Sequence, residues 1–365
     1  MVRILQIVPN MQAGGLETFI MNVYRNIDRS KVQFDFLVNY KEKKFYDDEI
    51  ERLGGKIYRF SLRNDNNIIK YIKDLDKFFK EHKEYKVIHC HMASIGFIIF
   101  WIAKKNGVKI RIAHSHNTNT ENTLKGHLKR ILIKPYKNLS TENFACSKEA
   151  GKFLFKNKKF EVIPNSIELE KFKYNEEYRK EIRNELSLQE DNLVYGHVGR
   201  FCKQKNHRFL IEIFESIVNK NPKARLVLVG TGELENEIKQ LVKNKKIDDK
   251  VIFLGNRSDV NKIYSAIDCF IFPSKFEGLG IVLVEAQTAG LKCICSDIIP
   301  EEAKICDLYC QKSLKSSADE WAFEAMNLSK IDRKKYYEYA KKSNYDIKKL
   351  AKNLEFKYLK MNEED

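Results

Sequence analysis

The sequence contains no hydrophobic run long enough to cross a membrane. Its longest apolar stretch, ASIGFIIFWIA at 93–103, has 11 residues, whereas a membrane-spanning helix needs about 20. The first residues, MVRILQIVPNMQAGG, also lack the charged start and the sustained apolar core of a secretory signal peptide. We therefore expect a cytoplasmic protein that meets a membrane only at its surface.

Cysteine motifs for metal binding or redox chemistry are missing too. The chain has 8 cysteines but no CxxC pair, which argues against a zinc site or a thioredoxin-like motif. Several cysteines lie in apolar, strand-like runs, where a reduced thiol behaves as a small hydrophobic group. These are Cys90, Cys146, Cys269, Cys293 and Cys295. This usage indicates a reducing cytosol.

Positive charge is what the chain has in excess. It carries 66 lysines and arginines against 50 acidic residues, a net charge of +16. A surface this basic should attract anions such as nucleic acid, anionic lipid or phosphorylated small molecules. No RNA-binding or helix-turn-helix signature is recognisable, which argues against nucleic acid.

Short apolar strands alternate with amphipathic helices in two series. The first series runs from VRILQIV (2–8) to FEVIPN (160–165), and the second runs from LVYGHVGRF (193–201) to KCICSD (292–297). Continuous apolar strands flanked by helices are typical of a parallel sheet covered on both faces. The sequence therefore predicts an α/β protein with two doubly wound, Rossmann-like sheets.

The two series predict two domains. The first domain spans 1–166 and the second spans 167–339, and together they fit a chain of 365 residues. In such sheets ligands bind beyond the carboxyl ends of the strands, so we expect the domains to face each other across a cleft. A basic helical tail, about 340–365, could pack back on the first domain, which the sequence does not settle.

Glycines precede a predicted helix in the second domain. The segment FPSKFEGLGIVLVEAQTAG (272–290) reads as the end of a strand, a loop and a helix. Gly278 and Gly280, on either side of Leu279, would let a ligand approach the backbone closely. The free N–H groups at the helix start suit a phosphate.

Two glutamates frame that loop. Glu285, about one turn inside the helix, could accept two hydrogen bonds from ribose hydroxyls, and Glu277 could meet a sugar or orient the loop. An ordinary turn with one surface glutamate and one helix glutamate is the alternative.

A second basic segment, HVGRFCKQKNH (197–207), follows the first strand of the second domain. Arg200 lies at the strand end and Lys205 lies near the start of the next helix. A planar guanidinium and a compact ammonium together suit a diphosphate. Two solvated cations are the alternative in so basic a chain.

Polar and glycine positions also follow strands of the first domain. PNMQAGGLETF (9–19) places Gly14 and Gly15 before a helix; it is not GxGxxG, so a nicotinamide site fits poorly. A glycine pair can admit a phosphate or a sugar, or simply make a turn.

Four histidines, in VIHCH and IAHSHN, end two other strands: His89, His91, His114 and His116. They could suggest a metal site, but no acidic residue or cysteine completes an obvious ligand set. We therefore predict no metal.

The strings around these residues resemble the retaining glycosyltransferases of the large family 4, which have the GT-B fold. FPS, EGLG and EAQTAG surround the two glutamates, and Gly-Arg is followed by a short loop and a lysine, as in that family. The resemblance implies that His116, followed by Asn117, lies near the transferred sugar, with His114 as the second choice. It implies a donor site made of Gly14, Gly15, Arg200, Lys205, Glu277, Gly278, Leu279, Gly280 and Glu285.

Within that family the chain looks most like the bacterial capsule and exopolysaccharide enzymes, through RIAHSHNT (111–118), KNH (205–207) and VLVEAQ (282–287). The resemblance implies transfer of a sugar, with retention, from a nucleotide diphosphate sugar to a polyprenyl-diphosphate-linked saccharide. His116, Glu277, Arg200 and Lys205 would be catalytic. The cations and a helix dipole would stabilise the leaving diphosphate, so no metal or other cofactor is expected.

One segment predicts contact with a membrane. TLKGHLKRILIKPYKNL (123–139) alternates leucine and isoleucine with lysine and arginine, as in helices that lie on anionic lipid. A helix that packs on the core with a solvated basic back is the alternative. We expect an enzyme at the inner face of the plasma membrane. Two other functions compete with this expectation. The chain could be a sugar-nucleotide epimerase of the same fold, or a non-catalytic basic protein that binds membrane or nucleic acid.

Overall fold

The computed structural model describes residues 1–12, 14–60, 67–116 and 135–363. It divides the chain into two compact units. The first unit comprises Met1–Ile167 together with Ile347–Asp365, and the second comprises Glu168–Asp346.

The first unit is built on a parallel sheet of seven strands in the order β3-β2-β1-β4-β5-β6-β7. Parallel strands need helical crossovers, which cover both faces of the sheet. The strands are β1 (Val2–Val8), β2 (Val32–Val38), β3 (Ile57–Arg59), β4 (Val87–Cys90), β5 (Ile110–Ser115), β6 (Glu142–Ala145) and β7 (Glu161–Val162). The helices are α1 (Gly15–Asn26), α2 (Asp47–Arg52), α3 (Ile68–Glu81), α4 (Ala93–Lys105) and α5 (Lys148–Phe155).

The last helix of the chain, Ile347–Glu363, completes the first unit. It is called the C-terminal helix below. Its buried Leu350, Leu354 and Tyr358 pack with Phe34 of β2 into the core on one face of the sheet. Burying one such side chain contributes about 1.5–3 kcal/mol, so this helix is an integral part of the first core.

The second unit repeats the architecture with a parallel sheet of six strands in the order β10-β9-β8-β11-β12-β13. The strands are β8 (Val194–Val198), β9 (Arg225–Val229), β10 (Val251–Phe253), β11 (Cys269–Phe272), β12 (Lys292–Ser296) and β13 (Tyr309–Lys312). The helices are α6 (Leu169–Phe172), α7 (Glu176–Glu185), α8 (His207–Lys220), α9 (Glu235–Asn244), α10 (Val260–Ala266), α11 (Ile281–Thr288), α12 (Ala318–Met326) and α13 (Tyr336–Lys342). The predicted α/β class with two Rossmann-like sheets is confirmed.

Each sheet has a switch point at the strand that comes first along the chain. The strands that follow it are added first on one side of it and then on the other. β1 lies between β2 and β4, and β8 lies between β9 and β11. Ligands of open α/β sheets bind in the crevice beyond the carboxyl ends of the strands at such a point. The segments that leave β1, β4, β8 and β11 are therefore the first places to look for a site.

Within the described ranges, no helix is both long enough and apolar enough to span a membrane. Residues 123–134, which form most of the predicted membrane-docking segment, lie outside the described residues, and so does Asn117.

Candidate active site

Two loops of the second unit are fastened together at the carboxyl ends of β8 and β11. The amide of Gln204 donates to the carbonyl of Phe276 at 2.8 Å, and the amide of Asn206 donates to the carbonyl of Pro273 at 3.1 Å. The backbone N–H of Lys275 returns a bond of 2.8 Å to the carbonyl of Gln204. These bonds fix the positions of the two loops relative to each other. Both loops were predicted to bind the sugar-nucleotide donor.

Lys205 and Glu277, one from each loop, form an ion pair. The lysine Nζ lies 2.7 Å from Glu277 Oε1, and the side chains are only 16% and 9% exposed. The ammonium also lies 4.6 Å from the centre of the Phe272 ring, within range of a cation–π contact. An incoming anion would therefore compete with Glu277 for the lysine.

Arg200 is placed very differently. Its side chain is 72% exposed and contacts only Glu233 among the ion pairs of the described residues, at 3.1 Å. Exposed pairs of this kind contribute about 0–1 kcal/mol. The guanidinium can therefore leave Glu233 for a ligand at little cost.

The helix α11 begins next to this pair. Its N-cap is Gly280, with φ of 80°, a left-handed conformation that glycine adopts without strain. Leu279 is buried and Gly278 is partly buried, so the loop enters the helix with its backbone fixed. The N–H groups of the first two residues of α11 have no partners within the helix, as at any helix start, whereas the N–H of Leu283 donates to the Gly280 carbonyl at 2.9 Å.

Glu285 lies one turn into α11, where its Oε2 accepts a hydrogen bond of 2.9 Å from the hydroxyl of the fully buried Tyr264. Burial raises the pKa of Glu285 to about 7, and the hydrogen bond from Tyr264 opposes that rise. The carboxyl group is therefore near its titration midpoint at neutral pH, an unusual state for a glutamate.

The glycine pair of the first unit begins α1. Gly14 is the N-cap in extended conformation, and a Cβ there would lie 2.5 Å from Glu17 Oε2. A Cβ on Gly15 would meet nothing within 4 Å. A side chain at Gly14 would therefore displace the Glu17 carboxylate, whereas Gly15 leaves space beside the backbone.

The four histidines form one block at the carboxyl ends of β4 and β5. The ring centroids of His89 and His91 lie 4.3 Å apart, and those of His114 and His116 lie 4.1 Å apart. His89 Nε2 lies 3.1 Å from His114 Nδ1, and His91 Nδ1 lies 2.9 Å from His116 Nε2. Burial lowers the pKa of His89 and of His116 to about 3 and holds the pKa of the other two well below the usual value. All four rings are neutral at physiological pH.

The fit of this block to a metal ion is poor. His89, His91 and His114 each have a ring nitrogen within 4.8 Å of the others, and no carboxylate or thiolate joins this set in the described part of the chain. Both nitrogens of His89 and both nitrogens of His91 already have hydrogen-bond partners. A metal would have to break those bonds and bring an uncompensated charge into a buried site. The absence of a metal from the reaction stays a prediction.

Several residues of these sites were not predicted. Gln6 could have been suspected, because it is a polar residue in the middle of the apolar strand VRILQIV and a buried polar group needs partners. Glu233, Tyr264 and Tyr358 carry no such signal, since each lies in an unremarkable loop or helix and meets its partner only through the fold.

Two doubly wound sheets, each with polar loops gathered at a switch point, define the Rossmann-like α/β class. Comparison with known proteins narrows the class to a family. Residues 13–171 match the family described as Glycosyltransferase Family 4, and residues 178–344 match Glycosyl transferases group 1. The chain is also 34% identical over 331 residues to the putative glycosyltransferase EpsF of Bacillus subtilis (strain 168), covering 88% of this chain and 86% of that protein. The chain therefore belongs to the glycosyltransferases that these two descriptions cover, family 4 and group 1, and it is a glycosyltransferase.

Two further relatives bear on the chemistry and the fold. The Escherichia coli UDP-Gal:alpha-D-GlcNAc-diphosphoundecaprenol alpha-1,3-galactosyltransferase is 28% identical over 281 residues, which cover 73% of this chain and 72% of that protein. The crystal structure of Anabaena Alr3699/HepE in complex with UDP has a TM-score of 0.77 at 16% identity, covering 97% of this chain and 98% of that one. This likeness confirms the predicted GT-B fold.

Proposed function

We propose that this glycosyltransferase moves a sugar from a nucleotide diphosphate sugar to a polyprenyl-diphosphate-linked saccharide during assembly of a capsular or extracellular polysaccharide. The observation that carries the proposal is the shielded Lys205–Glu277 pair beside the glycine-capped start of α11. The name of the Escherichia coli relative supports such a donor and such an acceptor.

The diphosphate of the donor binds through an exchange of partners. Lys205 turns from Glu277 to the phosphates, and Arg200 leaves its weak surface pair to join it. Each hydrogen bond to a charged group contributes about 1.5–3 kcal/mol. The N–H groups at the start of α11 add a fixed positive field. Since these groups face the charge that develops on the leaving diphosphate, they assist bond cleavage without a metal.

The two ends of the donor use the two glutamates. Glu285 accepts hydrogen bonds from the ribose hydroxyls, for which it must be ionised. Glu277, once released by Lys205, accepts a hydrogen bond from the transferred sugar. His116 also contacts the transferred sugar, as the resemblance to the family implies. Retention of configuration is the expectation from the family.

Because the proposed acceptor is linked to a membrane lipid, the enzyme must work at the inner face of the membrane. The basic segment 123–139 and the net charge of +16 support attraction to anionic lipid. The enzyme would then reach its lipid-linked acceptor as a peripheral protein.

Incubation with radiolabelled sugar nucleotides tests the proposed function. Label should move to the lipid fraction only when a membrane extract containing lipid-linked saccharides is present, and a nucleoside diphosphate should appear in equal amount. The Glu277→Gln variant, which keeps the size of the side chain, is the matched control and should lose transfer. A changed sugar on the intact donor without any acceptor would instead indicate an epimerase and overturn the proposal.

A further inference from the structure

Gln6 lies at the centre of the first sheet and begins the first of two rows of side chains. It is 1% exposed in the middle of β1, and its Oε1 lies 3.0 Å from His91 Nε2. Gln6 therefore accepts a hydrogen bond from His91.

The first row runs from Gln6 through His91 to His116. An amide oxygen only accepts, so His91 Nε2 carries the hydrogen. The neutral His91 ring then has a bare Nδ1, which lies 2.9 Å from His116 Nε2. His116 Nε2 must donate, and His116 Nδ1 is left as a bare acceptor. That atom is buried and has no hydrogen-bond partner among the described residues.

The second row runs from Tyr358 through His89 to His114. The Tyr358 hydroxyl oxygen lies 2.7 Å from His89 Nδ1, and His89 Nε2 lies 3.1 Å from His114 Nδ1. These contacts hold the His89 and His114 rings in place beside the first row.

We propose that Gln6 is a positioning residue that sets His91 and His116 in the Nε2–H form and thereby makes His116 Nδ1 an acceptor for a ligand hydroxyl. The unpaired nitrogen selects a neutral O–H donor and disfavours an anion, which would only bring further lone pairs. On the proposed function, that hydroxyl belongs to the transferred sugar, so this part of the inference rests on it. The assignment of the hydrogens stands without it.

Histidine-selective 15N labelling and two-bond 1H–15N correlation spectra read the tautomers directly, with resonances assigned through single His→Asn variants. The native protein should show His91 and His116 as neutral Nε2–H rings. An Nδ1–H ring, mixed tautomers or an imidazolium at either residue would overturn the inference. Addition of Zn²⁺ in equimolar amount should leave the signals of the four histidines unshifted. Coordination shifts would instead indicate a metal site.

Two variants separate positioning from mere packing. Gln6→Leu removes the acceptor for His91, so His116 should become a mixture of tautomers and kcat/KM should fall about tenfold, the size of one hydrogen bond. Gln6→Glu still offers His91 an acceptor, so it should largely keep the single His116 tautomer and most of the native kcat/KM. Gln33→Leu is the matched control, because Gln33 is a buried glutamine of β2 that bonds to the Leu53 carbonyl instead. It should leave tautomers and kcat/KM unchanged.

The two proposals fail in different ways. Native tautomers as expected, with no sugar transfer to any acceptor, would refute the proposed function alone. Full activity of Gln6→Leu with a mixed His116 ring would refute the positioning role alone. Affinity for the nucleoside diphosphate should be the same in all three variants, since its proposed contacts lie in the second unit.

Discussion

Replacement of Glu285 by glutamine should make the second unit more stable and the donor site weaker. Glutamine keeps an acceptor for the Tyr264 hydroxyl, so the packing is preserved. The pKa of Glu285 is raised from 4.5 to about 7 by burial. An acid whose pKa is higher in the folded state loses stability as pH rises from the unfolded value to the folded value. The stability gained by Glu285→Gln should therefore grow with pH.

The magnitude follows from the size of that rise. One pKa unit corresponds to 1.36 kcal/mol, so the gain should be about 1 kcal/mol at pH 5 and up to about 3 kcal/mol at pH 8. Urea denaturation followed by the fluorescence of Trp321, which is fully buried in the same unit, measures it. A gain that is equal at the two pH values would refute the burial argument.

The same carboxyl group should make donor binding depend on pH. Ribose hydroxyls donate to the ionised form, so affinity for an intact nucleotide sugar should fall about tenfold for each pH unit below about 7 and level off above it. An intact nucleotide sugar is the right ligand, because a terminal phosphate titrates near pH 6 itself. In Glu285→Gln the affinity should be low and independent of pH. A native affinity that is flat between pH 6 and 8 would remove Glu285 from the donor site.

Four further predictions concern the cations and the membrane. Lys205→Ala should cost about 3 kcal/mol of stability, because it leaves a buried carboxylate unpaired, and it should nearly abolish turnover; stability close to native in urea would contradict the shielded pair. Arg200→Ala should change stability by less than about 0.5 kcal/mol while lowering turnover, and full activity would contradict its contact with the diphosphate. Transfer should persist in EDTA, whereas a loss restored by Mg²⁺ or Mn²⁺ would contradict the mechanism without a metal. Replacing three basic residues of the segment 123–139 by glutamine should abolish co-sedimentation with phosphatidylglycerol vesicles at low salt and leave the affinity for nucleotide unchanged. Each basic residue contributes about 1 kcal/mol near an anionic surface. If the variant pelleted as well as the native chain, the docking surface would lie elsewhere. The three residues are Lys125, Lys129 and Arg130.

The strand framework could be predicted because its signal is local. Cys269–Phe272 is buried at every position, and a run of apolar side chains needs no knowledge of its neighbours to indicate a central parallel strand. Gly280 was singled out because a glycine lets a ligand approach the backbone closely. Its φ of 80° is a second reason for a glycine there, and only the structure shows it.

The partners of the site residues could not be predicted, because they depend on distant contacts. Lys205 and Glu277 were both singled out, but their ion pair joins positions 72 residues apart. Tyr358 bonds to His89 across 269 residues, and nothing near either residue marks the other. Tyr264 decides the protonation of Glu285 together with burial, yet it lies in a short helix with no unusual pattern. The sequence thus indicates which side chains can take part in chemistry. The fold determines which of them are neutral, which are shielded from water and which are free to bind a ligand.

The C-terminal helix has a consequence for how the protein is made. A ribosome synthesises every residue of the second unit before the helix that completes the first core and supplies Tyr358. Domains usually fold in the order of synthesis, but here the first unit keeps an apolar face uncovered until residues 347–363 have been synthesised. Nascent chains should therefore hold a finished second unit and an unfinished first one, which makes the first unit the natural client of a chaperone. A premature stop near residue 346 would injure the amino-terminal half of the molecule more than the half in which it falls.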